Sequence, residues 1–211
     1  MRRAGPFTPL TALARRQSLE AVLAGGRDDI PVFAYGSLVW DAEYLKFDCA
    51  PALLPGYRRA FCVWTAHARG TPAMPGLGLG LYPDAAAQCG GMVIRLTASA
   101  HRGVLEKLWE REMWTGVYDP GWVTIETNEG ATTALTFIVN QKHPQFSGDL
   151  TPVETARHIA VAEGVFGTCR EYFYRTERAL RDLPGAADEF EQLGSLVRRE
   201  AARMSGSVPS G

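Results

Sequence analysis

The chain has 211 residues, 46% of them hydrophobic, and carries 22 Lys and Arg against 23 Asp and Glu for a formal charge of −1. That is enough chain to bury one sizeable core. The charge balance gives no electrostatic case for nucleic acid, and no apolar run approaches the roughly 18 residues that span a bilayer.

The four cysteines, Cys49, Cys62, Cys89 and Cys169, are scattered, with no C-x-x-C pair and no zinc spacing. They read as reduced residues of a cytoplasmic protein, and no metal site is expected. The N-terminal Arg2, Arg3, Arg15 and Arg16 lack an apolar h-region, so they are not a secretory signal. Glu20 and an orderly helix pattern count against an organelle transit peptide.

Thr8-Pro9 reads as a cap followed by proline at the first helical position. The helix it opens would carry Leu10, Leu13, Leu19, Val22 and Leu23 and stop at Gly25-Gly26. Residues 1–29 are thus expected to be a helical extension, 30–204 the main domain and 205–211 a flexible tail. Ile30 to Tyr35 is an apolar run that reads as a buried strand, broken at Gly36-Ser37. Such a turn leaves backbone N–H groups without ladder partners, and Gly36 admits a positive φ. It is either an ordinary strand end or a small nest for a carboxylate or oxyanion. Residues 39–54 show no period and read as irregular, and Pro55-Gly56 would open a second strand to Trp64.

Residues 65–76, with His67, Arg69, Gly70, Thr71, Pro72, Pro75 and Gly76, form a long loop, the kind that often carries function. Arg69, with Arg58 and Arg59, is either a cation for a substrate carboxylate or a solvated side chain. Gly76 to Tyr82 alternates Gly and Leu and runs into Pro83-Asp84, so it reads as a strand and not a phosphate loop. Met92 to Leu96 reads as another short strand.

Ala98 to Met113 reads as a helix with Val104, Leu105, Leu108 and Trp109 on its apolar stripe. Tyr118 to Trp122 is a Pro/Gly break, followed by a hairpin of Trp122–Thr127 and Thr132–Val139. Lys142 to Asp149 is loop, and Thr151-Pro152-Val153-Glu154 is a capping box. The remainder is helical, with stops at Gly164 and Pro184-Gly185. Strands come mainly before helices, which argues for an α+β fold with a small mixed or antiparallel sheet or barrel and helices outside it.

Glu112 is the most informative polar residue. It lies seven positions after Leu105 and four after Leu108, on the apolar stripe. It also sits at the negative end of the helix dipole, so its pKa should be raised. Arg111, its sequence neighbour, should point elsewhere. Glu112 is either a functional acid, the partner of a basic residue from another segment, or a side chain lifted into solvent by fraying. Ser37 lacks the G-x-S-x-G elbow of a serine hydrolase, and the four histidines show no metal-ligand spacing.

Five pieces now stand in a characteristic order: Tyr35-Gly36-Ser37-Leu38, Pro55-Gly56-Tyr57-Arg58-Arg59, Arg69-Gly70-Thr71-Pro72 with Pro75-Gly76, Arg111-Glu112 and Glu171-Tyr172. In this order the chain resembles the ChaC-like gamma-glutamylcyclotransferases from about Val32 to Leu183. The resemblance implies a small mixed β-barrel flanked by helices. It implies a turn, Tyr35, Gly36, Ser37 and Leu38, that holds a gamma-glutamyl group through backbone N–H donors. It implies Glu112 as the catalytic acid/base and Tyr172 as a pocket residue. Met113 to Tyr118 departs from the family, standing where many relatives have a shorter Lys-Gly-Gly-Tyr-like turn.

The implied reaction is cofactor-free. The α-amine of a gamma-glutamyl substrate, glutathione first among them, attacks its own γ-carbonyl, giving 5-oxoproline and Cys-Gly. The implied partner is that small molecule, with no membrane, nucleic acid or protein partner. Cyclisation of another gamma-glutamyl amine and a non-catalytic small-molecule-binding protein of the same fold are the alternatives. Neither the N-terminal helix nor the tail holds a residue of this set, so both are expected to be dispensable for chemistry.

Overall fold

Two very long strands dominate the computed structural model, which describes residues 7–27, 29–96, 101–148, 150–185 and 187–205. They are β2 (Asp48–Thr65) and β3 (Gly76–Leu96), paired antiparallel from Asp48 opposite Arg95 to Thr65 opposite Gly76. With β1 (Ile30–Ala34), β4 (Tyr118–Thr127) and β5 (Gly130–Val139) they close a barrel in the order β1-β3-β2-β4-β5. The closing contact, Val32 beside Leu135, is parallel, and the other strand pairs are antiparallel. The small mixed barrel flanked by helices is therefore the fold.

The long strands differ from the sequence expectation in an instructive way. β2 begins at Asp48, so Pro55-Gly56 does not open a strand; it is a bulge inside one, with Gly56 at φ 77. A bulge bends a strand without ending its ladder, and a glycine supplies the left-handed residue it needs. Likewise Pro83 does not end β3. Its ladder runs on to Leu96, because the stretch 82–88 is the outer, largely exposed arm of the β2–β3 pair and has no apolar alternation to display. The alternating run earlier in β3 behaves as read. Leu77, Leu79 and Leu81 are buried, and a Cβ on Gly80 would meet Cys62 Sγ at 2.6 Å.

β4 starts at Tyr118, through the Pro120-Gly121 pair that reads as a break in the sequence. Proline is tolerated there because β4 is paired along its length with β5 but meets β2 only at Leu53 opposite Glu126.

The helices are α1 (Ala12–Leu23), α2 (His101–Glu112), α3 (Pro152–Val161), α4 (Cys169–Leu180) and α5 (Ala187–Ser205). α1 is capped by Thr11, whose Oγ1 accepts from the Ala14 amide at 3.1 Å, three residues later than Thr8-Pro9 suggests. It lies against α2. Trp109 Nε1 donates to Ser18 Oγ at 3.2 Å, the Leu10 amide donates to the Trp114 carbonyl at 2.8 Å, and Leu19 is buried.

Thr151 and Glu154 form the expected capping box of α3. Between α3 and α4 a minimal hairpin, β6 (Glu163–Gly164) and β7 (Gly167–Thr168), docks on the 65–76 loop. A side chain at Gly164 would come within 2.3 Å of the His67 carbonyl, so only glycine fits. A four-residue 3-10 helix, Ser37–Trp40, follows β1 directly. The expected helix start at Ala98 and the tail beyond Ser205 lie outside the described residues. Among the described residues no helix is long and apolar enough to cross a membrane, and no cluster of His, Cys, Asp and Glu has a metal-binding arrangement.

Candidate active site

β1 is held on both edges, by β3 and by β5, so its last residues are delivered to a fixed place at one end of the barrel. Tyr35 is buried there. Its hydroxyl donates to the Phe137 carbonyl at 2.7 Å, and its own carbonyl accepts from Arg59 Nη1 at 3.0 Å. The chain then turns into the 3-10 helix, closed by the Val39 amide donating to the Gly36 carbonyl at 3.0 Å. The amides that open such a helix have no partner within it, and here they are those of Ser37 and Leu38.

Gly36 has φ −133 and not the positive φ that a nest suggests. Its reason for being glycine is space. An added Cβ would stand 3.6 Å from Leu79 Cδ1 and 3.9 Å from the Tyr172 hydroxyl, inside the cleft that these residues line.

That cleft holds about 360 Å3 of empty space, part of it open to solvent. The turn residues Tyr35, Gly36, Ser37 and Leu38 line it together with Glu112, Tyr118, Tyr172 and Leu79. Five residues named from the sequence (the four of the turn and Tyr172) thus meet Glu112, although 60 or more positions separate the segments. Phe33, Ala34, Leu79, Phe137 and Tyr118 complete the lining and escaped sequence reasoning. The first four look like ordinary barrel residues. Tyr118 had one signal, its place at the end of the Met113–Tyr118 stretch.

Glu112 is the last residue of α2, and its side chain keeps only 17% exposure. Burial raises its pKa, as the apolar stripe predicts; Arg111 pulls it down, Asp41 pushes it up, and the net direction is upward. The expectation that Arg111 points elsewhere is wrong: its Nε lies 3.1 Å from Glu112 Oε1. Successive residues diverge inside a helix, but the helix stops at Glu112, and a side chain as long as arginine can curl back to its neighbour. Glu112 is therefore an ion-paired carboxyl whose burial outweighs its partner.

Three phenols line the cleft with it. Burial drives the pKa of Tyr35 and Tyr118 well above the usual tyrosine value, and that of Tyr172 up to about 12, with the charge of Glu112 adding to all three. All three are neutral hydrogen-bonding groups throughout the physiological range. Two donate to the barrel backbone, Tyr35 to Phe137 and Tyr118 to the Leu79 carbonyl at 2.6 Å.

The arginines behave differently from one another. Arg58 pairs with Asp84, and Arg59 is buried, donating to the Tyr35 and Gly90 carbonyls. Neither lines the cleft. Arg69 does not line it either, but its guanidinium sits 5.6 Å from the centre of the Tyr172 ring and donates to the Phe166 and Thr168 carbonyls of the small hairpin. Ser37 Oγ accepts from Arg111 Nη2 at 2.6 Å, and no base is among its described partners, so nothing activates it as a nucleophile.

The profile of the family described as "ChaC-like protein" matches residues 30–200. The glutathione-specific gamma-glutamylcyclotransferase of Escherichia coli K12 is 35% identical over 192 residues, covering 90% of this chain and 82% of that protein. The human glutathione-specific gamma-glutamylcyclotransferase 1 is 26% identical over 198 residues, covering 92% and 89%. A crystal structure of the yeast gamma-glutamyl cyclotransferase specific to glutathione superposes with a TM-score of 0.72 at 23% identity, over 83% of this chain and 97% of that one. That last likeness is one of fold.

Proposed function

Because the chain belongs to the ChaC-like family, we propose that it is a glutathione-specific gamma-glutamylcyclotransferase with Glu112 as its general acid/base. The observation that carries this is that one largely buried carboxyl, Glu112, lines the same cleft as the Tyr35–Leu38 turn. That is what an intramolecular aminolysis needs. The substrate's α-amine and γ-carbonyl are already in one molecule, and the protein has to fold the glutamyl chain so that they meet. Such positioning lowers a barrier by up to about 7–11 kcal/mol.

The α-ammonium must first lose a proton to become a nucleophile. An unperturbed Glu at pKa about 4.3 is nearly four units below an α-amine at about 8, an uphill transfer of about 5 kcal/mol. Raising the carboxyl's pKa narrows that gap, and burial of Glu112 acts in this direction. The amine then attacks the γ-carbonyl carbon and forms a five-membered ring. In this reading the turn amides of Ser37 and Leu38, which have no partner within the 3-10 helix, receive the oxyanion. Glu112, now protonated, hands its proton to the departing nitrogen as the γ-amide C–N bond breaks. The second proton shed by the α-nitrogen exchanges with solvent. The products are 5-oxoproline and Cys-Gly.

In this reading Tyr172 orients the glutamyl group, and Arg69, against the Tyr172 ring, is the cation for the glycine carboxylate. The four free cysteines support a reducing compartment, the cytoplasm, in this reading. Incubation with glutathione and quantification of both products tests the function. Equimolar 5-oxoproline and Cys-Gly is the expected result. No 5-oxoproline from glutathione, with turnover of another gamma-glutamyl amine, would move the assignment to that substrate.

A further inference from the structure

Arg111 joins the end of α2 to the 3-10 helix through three groups. Its Nη2 donates to Ser37 Oγ at 2.6 Å, its Nη1 bonds the Asp41 carboxylate, and its Nε lies 3.1 Å from Glu112 Oε1. A guanidinium offers five N–H donors in a rigid fork, which suits it to hold several acceptors at set angles. Asp41 is itself fixed. It caps the 3-10 helix, its amide donates to the Leu38 carbonyl, and its Oδ1 accepts from the Glu43 amide at 2.9 Å. Arg111 engages Oε1 of Glu112, and Glu112 lines the cleft.

We propose that Arg111 and Asp41 are a pair of positioning residues: Arg111 locks the end of α2 onto the Tyr35–Leu38 turn and orients Glu112, and Asp41 cancels the charge of Arg111 so that Glu112 is held without being locked as an anion. This inference rests on the acid/base role given to Glu112 above. The two charges are needed together. With Arg111 alone, Glu112 would be held as an anion by an uncompensated cation and would be a poor proton acceptor. With neither, it would have no fixed direction.

Among the described residues the groups that face Glu112 are few. From α2 there is Arg111, and from the turn after the 3-10 helix, Asp41. The remaining titratable neighbours are phenols: Tyr35 from the turn after β1, Tyr118 from β4, Tyr172 from α4, and Tyr44. Burial is the largest cause in raising all four, so none becomes charged in the range where a carboxyl titrates. The balance at Glu112 is therefore set by Arg111 lowering its proton affinity and Asp41 raising it, on top of burial.

The test uses the full-length protein labelled with 13C at the glutamate carboxyls. The Glu112 signal is identified by its loss in Glu112→Gln and followed through a pH titration. Arg111→Met should move its midpoint up and Asp41→Asn should move it down, each by about one pH unit. The double variant, with both charges gone, should return it towards wild type. Arg111→Lys keeps the charge and loses the fork. It should restore the midpoint but leave kcat for 5-oxoproline release at least about tenfold down, with KM changed less. Midpoints that stay put, or that move the same way in both single variants, would overturn the proposal, as would full kcat in Arg111→Lys. The titration does not depend on turnover. A wild-type protein that makes no 5-oxoproline would therefore count against the proposed function, and the midpoints would still judge this pair.

Discussion

Replacing Glu112 by glutamine removes a proton acceptor while keeping the shape of the side chain. The structure says what this should do to stability. The net shift of the carboxyl is upward in spite of its ion pair with Arg111, so ionised Glu112 is a worse fit to the folded chain than to the unfolded one. A group whose folded pKa is raised contributes fully to stability below its unfolded value, about 4.3 for Glu, and loses that contribution as pH rises through the folded value. Glutamine does not titrate. Its oxygen still accepts from Arg111, so the variant should fold, and its Tm relative to wild type should rise with pH across that window.

Catalysis should respond in the opposite way. A lost general base costs roughly 10²–10⁴-fold, or about 2.7–5.4 kcal/mol at 1.36 kcal/mol per tenfold. The assay is release of 5-oxoproline from glutathione over a pH series, with binding measured by calorimetry on a glutathione analogue lacking the α-amine, which cannot cyclise. Wild type should show an acid limb above the ordinary glutamate range, and Glu112→Gln should bind the analogue and lose that limb with its turnover. Wild-type kcat in a folded Glu112→Gln protein would refute the mechanism, even with 5-oxoproline as the product.

Gly36→Ala should fold with stability within about 1 kcal/mol of wild type, because its Cβ meets Leu79 and Tyr172 at ordinary contact distances. It intrudes on the cleft, so kcat/KM should fall at least about tenfold, with valine worse; an unaffected kcat/KM would place the glutamyl group elsewhere. Ser37→Ala should keep most of its activity, since the turn's amides remain and Arg111 retains Asp41 and Glu112. A dead variant, together with a covalent acyl adduct on the wild type by intact mass, would restore the serine hydrolase reading. Arg69→Ala should raise KM for glutathione and abolish its advantage over gamma-glutamylcysteine, which lacks the glycine; equal kinetics of the two substrates on wild type would remove that role. Deleting residues 1–24 strips Leu19 and the Ser18–Trp109 bond from α2, a loss of about 3 kcal/mol, or roughly 6–12 °C in Tm. With chemistry assayed well below Tm, kcat should stay near wild type; a fall in kcat would show that α1 sets the position of Glu112.

Much of this molecule is legible in the order of its residues. Period and capping chemistry are local properties, so the buried strand at Ile30, the helix with Leu105, Leu108 and Trp109, the capping box at Thr151 and the glycine-leucine strand could all be found without coordinates. The displacement of Glu112 onto an apolar face is also a matter of spacing, and it pointed to a raised pKa before its surroundings were known. Other features depend on which chain segments meet. Whether Pro55-Gly56, Pro83 and Pro120 end a strand or ride within one depends on the pairing of β2, β3 and β4, because a partner's ladder carries a strand through residues that its own pattern would break. Arg59 and Arg69 look alike in sequence. One is buried under the Tyr35 carbonyl and the other braces a hairpin behind Tyr172, and only barrel closure separates them. The pairing of Arg111 with Glu112 follows from the residue at which α2 stops, and the reach to Asp41 and Ser37 spans some 70 positions. Charge balance at a buried acid is a sum over everything packed around it, and that sum exists only once the chain has closed on itself.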